Sequence, residues 1–182
     1  MQVAPDFAEV VKFHGHTCPG VTIGYRMAKA AMKRLAEKRA EDEEIVAIVE
    51  NNACGVDAVQ FLTGCTFGKG NFIFRDYGKQ VYTFYSRNTG KGYRVVFHGK
   101  NIPESVRGDR EAMTQWLLEA KEEDIIDVNE VDIEEPDPAE IVPSVRCEYC
   151  GEMVMGTRTE KINGKIACIP CADKQLNRVP AS

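Results

Sequence analysis

Seven cysteines and three histidines are the residues of this 182-residue chain best suited to chemistry, and most of them fall into two groups. Near the C-terminus, Cys147-x2-Cys150 and Cys168-x2-Cys171 stand 17 residues apart. Two residues between cysteines let both sulfurs of a knuckle reach one ion at ~2.3 Å, and two such pairs complete a tetrahedron. Gly151 follows the first pair, where the backbone must turn back. The spacing predicts a structural zinc site. Two redox-active Cys-x-x-Cys pairs are the alternative, but such a pair belongs at a strand-to-helix junction in a βαβ unit, and this segment is too short to hold one.

The second group is His14-Gly15-His16-Thr17-Cys18-Pro19-Gly20. Proline disfavours the helical region for Cys18, and in an extended segment the side chains at 14, 16 and 18 share a face. Pro19 also suits the first turn of a following helix. Cys18 would then sit at that helix's N-terminus, where the dipole and free N–H groups favour thiolate. Cys54 follows Asn51-Asn52, plausible caps for a helix that carries Asp57 one turn later. Cys65 and Lys69 lie in the glycine-rich stretch Thr63-Gly64-Cys65-Thr66-Phe67-Gly68-Lys69-Gly70-Asn71. Each has a plainer reading. Cys65 can be a small buried hydrophobe, His14 can close a helix end and bond a carbonyl, and His98, before Gly99, reads as surface. The glycine-rich stretch is not a phosphate loop: three residues separate Gly64 from Gly68, and Lys69 leads into a strand instead of a helix.

These groups need elements to hold them. Phe7, Val10, Val11 and His14 fall at helical spacing after Pro5, and Val21, Tyr25, Ala28, Met32 and Leu35 stripe a helix over 21–39. Residues 45–49 form a near-continuous apolar run, a buried strand. Residues 55–62 read as a short helix stopped by Gly64. Strands over 71–75, 80–86 and 93–98, separated by Asp76-Tyr77-Gly78 and Asn88-Thr89-Gly90, read as an antiparallel meander. Residues 110–121 carry Met113, Trp116, Leu117 and Ala120 on one helical face. The order implies an α+β domain, a mixed and mostly antiparallel sheet with packed helices, over residues 1–128. In the C-terminal part, Met153-Val154-Met155 and Lys165-Ile166-Ala167 read as strands around the Asn163-Gly164 turn. A module this small depends on its metal to fold.

Charge marks the boundary. Residues 1–118 hold 16 Lys/Arg against 13 Asp/Glu, and residues 145–182 hold six against four. Residues 119–140 hold one base, Lys121, against 11 acids. With three prolines among residues 130–143, the segment 129–144 reads as an extended, self-repelling linker between the α+β domain and a zinc ribbon over 145–182. Neither folded part has the basic excess of a strong nucleic-acid binder. No apolar run approaches the ~20 residues that span a bilayer, and residues 1–6 lack a signal-peptide start. A cytoplasmic, membrane-free protein is expected, with thiols kept as ligands or reactive groups.

The stretch Phe13-His14-Gly15-His16-Thr17-Cys18-Pro19-Gly20-x3-Gly24-x-Arg26, with Cys54-x2-Asp57-Ala58-Val59-Gln60 and Thr63-Gly64-Cys65-Thr66-x-Gly68-Lys69-Gly70-Asn71, closely resembles the E-subunit family of formylmethanofuran dehydrogenase. Asp76-x-Gly78-Lys79 and Thr83-Phe84-Tyr85 are similar too, and some members carry a C-terminal zinc ribbon. The resemblance implies a homodimer with a pocket formed by His16, Cys18 and Cys54, with His14, Asp57, Cys65 and Lys69 nearby. The parent complex reduces carbon dioxide onto methanofuran with a pterin metal held in other subunits, and relatives outside it need not share that reaction.

The expectation is a metal-binding protein linked to redox or one-carbon metabolism, an oxidoreductase or an accessory of one. Zinc or another first-row ion would be held by His16, Cys18 and Cys54, with His14 or Cys65 as further ligands and one position open for a small-molecule substrate. Cys18, His16 and Asp57 are the catalytic candidates, and Lys69 would attract an anionic cofactor or substrate. The rival is an accessory module that senses a metal or ligand and docks its ribbon on a partner protein, a nucleic acid being the weaker partner. Metal-free thiol chemistry, Cys18 attacking and Cys54 resolving, is the third.

Overall fold

The computed structural model describes residues 5–178; most of the N-terminal stretch 1–6 and the last four residues of the C-terminal module lie outside the described part. The chain divides into two compact units, Met1–Ala139 and Glu140–Ser182. No described helix is long and apolar enough to cross a membrane.

The first unit is α+β. Helix α1 (Pro5–His14) and helix α2 (Pro19–Leu35) are followed by β1 (Ile45–Val49), α3 (Gly55–Thr63), β2 (Phe72–Phe74), β3 (Val81–Ser86) and β4 (Lys91–Phe97), then α4 (Arg110–Glu119), α5 (Glu122–Ile125) and β5 (Ile126–Val131). Pro19 opens α2, and Ala36 ends it in the left-handed conformation at φ 56. The stop comes before the expected residue 39 because the apolar stripe ends at Leu35, and a further turn has nothing to bury. Gly64, at φ 74, ends α3 as expected.

The five-stranded sheet has the order β2-β1-β3-β4-β5. Strand β1 lies parallel to β2 and antiparallel to β3. The expected meander is therefore only partly present: β2 does not neighbour β3 but crosses to the far side of β1. Asn71 explains the placement. Its backbone C=O accepts from Ala47, and its amide donates to the carbonyls of Asp42 and Ile45. That pins the entry to β2 beside β1, and the Tyr77 and Lys79 N–H groups then bond the Glu50 carbonyl as the chain returns.

Ile45, Ala47 and Val49 face the helices and join Met27, Ala31, Tyr82, Phe84, Val95 and Leu117 in the main core. Alternate residues of β1, Val46 and Ile48, are buried too, on the other face. The acidic segment lies over that face, where Ile133 and Pro136 line a cavity together with Ile48. Residues 126–131 pair with β4 as β5, so the expected linker begins inside a strand. The chain after it is held by Arg87, which donates to Glu135 and to the carbonyls of Pro136 and Asp137. The Ala139 N–H reaches the Glu43 carboxylate. A run of like charges repels itself only when its neighbours offer nothing better; here a guanidinium does. The stretch is a strap on the first unit.

In the second unit, β6 (Ser144–Arg146) pairs with β7 (Met153–Met155), and β8 (Thr159–Ile162) pairs with β9 (Lys165–Cys168) before α6 (Ile169–Leu176). Asn163 and Gly164 turn the second hairpin with φ of 50 and 78. Residues 165–167 therefore do not pair with 153–155, as the sequence suggests. Each Cys-x2-Cys pair instead follows its own hairpin strand, and residues 159–162 supply the missing one.

Candidate metal centre

Four side chains gather where α1 ends and where α2 and α3 begin. The ligand atoms of His14, His16, Cys18 and Cys54 all lie within 4.8 Å of one another. His14 is the last residue of α1, not part of an extended run. Gly15 makes the turn: at φ 95 it leaves the helix while its N–H still bonds the Val11 carbonyl. Nothing stands within 4 Å of a Cβ there, so backbone conformation and not space demands glycine. Cys18 is extended, φ −156 and ψ 162, as the following proline requires. The three groups meet through a helix end, a left-handed glycine and one extended residue.

Cys54 arrives from α3 because α2 and α3 touch backbone to backbone. A Cβ on Gly24 would lie 2.1 Å from the Gly55 carbonyl oxygen, and one on Gly20 would lie 3.2 Å from the Cys54 Cβ. Asn51 does not cap α3 as expected. Its Oδ1 accepts from Ala53 and its amide donates to the Lys79 carbonyl at 2.6 Å, tying the approach loop to the sheet. Cys54 itself is the first residue before the helix.

The hydrogen bonds define what the cluster can hold. His14 Nδ1 lies 2.7 Å from Asp57 Oδ2. His14 Nε2 is buried with no partner among the described residues. A ring nitrogen bonded to carboxylate leaves the other nitrogen as a directed electron-pair donor, the arrangement that orients histidines on metal ions. Cys18 Sγ accepts the Val21 N–H at 3.4 Å in the first turn of α2. Burial, and then the adjacent Cys18 sulfur, push the Cys54 thiol up from its ordinary value. Two imidazoles and two sulfurs, one nitrogen orphaned among them, fit a first-row cation such as zinc. Among the four, His16 is exposed and Cys18 is 3% exposed.

Other expected site residues go elsewhere. Cys65 is buried, donates to the Ile45 carbonyl at 3.2 Å and is pushed up to about 11 by burial; it packs in the core, outside the ligand cluster. The Lys69 ammonium is turned to the chain itself, bonding the carbonyls of Ala40, Glu41 and Asp42. Asp57 holds His14 and does not itself join the His/Cys cluster. Tyr82 is a neighbour that sequence reasoning misses. Its buried hydroxyl has no partner among the described residues and stands against Gly55, 2.7 Å from where a Cβ would be. Only the alternation of β3, which turns 82 and 84 to the helices, hints at it.

The Cys147, Cys150, Cys168 and Cys171 sulfurs form the second cluster, also within 4.8 Å of one another. Cys150 and Cys168 sulfurs are 3.9 Å apart, and the Cys168 N–H reaches the Cys147 sulfur at 3.3 Å. Gly151, at φ 80, closes the first knuckle through its N–H to the Cys147 carbonyl. The second pair differs from a plain knuckle, since Cys168 caps α6 and Cys171 lies in its first turn. Backbone N–H groups of Cys150 and Cys168 draw Cys147 down to about 6, while the neighbouring Cys168 sulfur raises Cys171 to about 12. Four thiols that compete for negative charge are relieved by a cation between them. The module fits a small zinc ribbon.

Known proteins resemble this chain along most of its length. A solved structure, that of a tungsten formylmethanofuran dehydrogenase FmdE-like protein from Syntrophus aciditrophicus, aligns with a TM-score of 0.71 at 27% identity, covering 92% of this chain and 90% of that one. A probable S-adenosyl-L-methionine-binding protein of Archaeoglobus fulgidus is 33% identical over 190 residues. That match takes in 88% of this chain but 50% of the relative, so the chain spans about half the relative's length. Residues 13–130, which hold the whole His/Cys cluster, match the family described as FmdE, molybdenum formylmethanofuran dehydrogenase operon, and the chain belongs to that family.

Proposed function

We propose that the chain works through a metal centre formed by His14, His16, Cys18 and Cys54, in redox-linked or one-carbon chemistry, while a zinc ion in the four-cysteine module keeps that module folded. The observation that carries this reading is the orphaned Nε2 of His14, buried beside two sulfurs with its partner nitrogen anchored on Asp57. A buried nitrogen without a partner costs stability unless something binds it. Zinc or another first-row ion would supply Lewis acidity there. His14, Cys18 and Cys54 are the enclosed ligands. His16, exposed and on the far side of Gly15, would be the fourth residue to hold the ion and the one placed to meet a substrate or take a proton beside it.

Stoichiometry tests the reading. The full chain should carry about two ions by elemental analysis. His14→Ala with Cys54→Ala should leave one, and Cys150→Ser with Cys171→Ser should leave the other. One ion in the unaltered chain, lost only with the C-terminal cysteines, would remove the proposed centre.

The accessory reading has its own support. The chain spans half of the Archaeoglobus relative, and the family's description names a dehydrogenase operon. Action beside a partner protein fits both observations; a cytoplasmic homodimer is the form that the family resemblance suggests for it. Co-purification of the full chain with a neighbouring operon product, lost on disrupting the four-cysteine cluster, would favour this reading.

A further inference from the structure

Helices α1 and α4 both lean on α2 and leave a groove of about 490 Å³ between them. Phe7 and Val11 line one wall, Leu118 and the 7% exposed Thr114 line the other, and Thr17 also borders the groove. That is the size of a small-molecule site with an apolar body and few polar groups. Its position joins it to the proposed centre, because Thr17 lies between His16 and Cys18 and Val11 lies one turn before His14.

Polarity is arranged along the groove. Arg26, midway along α2, bonds the Leu117 and Ala120 carbonyls and so anchors the C-terminal end of α4. Phe7 packs edge-on against Tyr25 with ring centroids 4.9 Å apart, which fixes the apolar wall. The first turn of α4 adds Arg110 and Glu111, opposite charges on consecutive residues that both line the groove. The α4 dipole adds no net anion preference, since the Asp109 carboxylate already bonds the Glu111 and Ala112 N–H groups. A lone anion meets Glu111 and a lone cation meets Arg110. A head with both charges satisfies the two.

We infer that the groove between α1 and α4 binds an apolar α-amino acid or a derivative of one, its carboxylate on Arg110, its ammonium on Glu111 and its side chain on Val11 and Leu118. This names a substrate class for the proposed centre and rests on that reading for its role as substrate, but not for binding. Guanidinium and carboxylate each recognise one half of the zwitterion by charge-assisted hydrogen bonds, and the thioether or aromatic body of such a ligand suits the walls.

The test uses the full chain loaded with zinc. L-Phenylalanine, phenethylamine and 3-phenylpropionate are titrated by saturation-transfer NMR. L-Phenylalanine should bind at least tenfold more tightly than either analogue. Arg110→Ala should erase its advantage over phenethylamine, and Glu111→Ala its advantage over 3-phenylpropionate. Both positions are exposed, so unchanged thermal unfolding will show that the variants fold. Equal binding of the three compounds, or binding of none, overturns the inference. Failure of the N-terminal cluster to take up zinc, read by elemental analysis, overturns the metal reading alone, because the titration reads the groove directly.

Discussion

The Asp57 carboxylate holds His14 by its Nδ1 at 2.7 Å, across 43 residues of sequence. The contact joins the end of α1 to the first turn of α3, and it decides which nitrogen of the ring faces the sulfurs. Asp57 is 39% exposed at its side chain while His14 is 9% exposed. The carboxylate is therefore the solvated end of the pair, and the imidazole is its delivered end.

Replacing that carboxylate by an amide keeps the shape and removes the charge. Asp57→Asn should weaken ion binding at the N-terminal cluster by about 10- to 100-fold. The ion of the four-cysteine module should be unaffected. Competition with a chelator of known affinity, read separately in wild type and variant, measures the difference.

Gly24→Ala tests the backbone contact that brings Cys54 to Cys18. The new Cβ would stand 2.1 Å from the Gly55 carbonyl oxygen and 2.3 Å from its Cα. No rotamer relieves a clash with backbone, so α2 and α3 must separate. A loss of more than ~3 kcal/mol is expected by denaturant titration, with loss of the N-terminal ion.

Alkali should destabilise the first unit through Cys65. Its thiol titrates near 9 when unfolded and is pushed up to about 11 in the fold by burial. The folded state keeps its proton where the unfolded state has lost it. Stability is therefore full below pH 9 and falls as pH rises toward 11, by about 2–3 kcal/mol from this group. Cys65→Ala should flatten that part of the stability curve measured between pH 8 and 11, though it will lower the curve as a whole by leaving space in the core.

Arg87 is the clasp of the acidic strap. Its side chain is 17% exposed and is paired with both Glu43 and Glu135. Arg87→Ala should free residues 132–139 and uncover Ile48. A glutamate-specific protease should then cut after Glu134 at least tenfold faster than in wild type, with β5 itself still protected. Equal cutting rates would mean that the strap is held without Arg87, by its other contacts such as the Ala139 N–H on Glu43.

Much of this is legible in the residues themselves. The buried strand at 45–49, the stop at Gly64, the Asn163-Gly164 turn and both Cys/His clusters follow from local rules: continuous apolarity, left-handed glycine, ligand spacing. What local rules do not give is the partner of each element. Residues 72–74 read as a strand, but only the Asn71 amide, bonded to carbonyls of 42 and 45, sends them to the parallel side of β1. Residues 126–131 are hidden in an acidic stretch, since a strand at the sheet edge buries just Ile126 and half-buries Val128 and Val131. The role of His14 is ambiguous for a similar reason: a histidine at a helix end becomes a ligand only if a distant carboxylate turns it. Helix α6, eight residues beginning beside Pro170, is too short for periodicity to reveal.

The meeting of Gly24 with Gly55 also sets how the centre should choose among ions. Two helices already in contact along their main chains cannot move closer, so the scaffold sets a lower limit on the sulfur-to-sulfur span before any cation arrives. The imidazole of residue 16 hangs on a turn with open space beside it and can follow the visitor. Size selection is thus exercised from the thiol side, and an ion too small for both sulfurs to reach is held poorly however well the ring adapts.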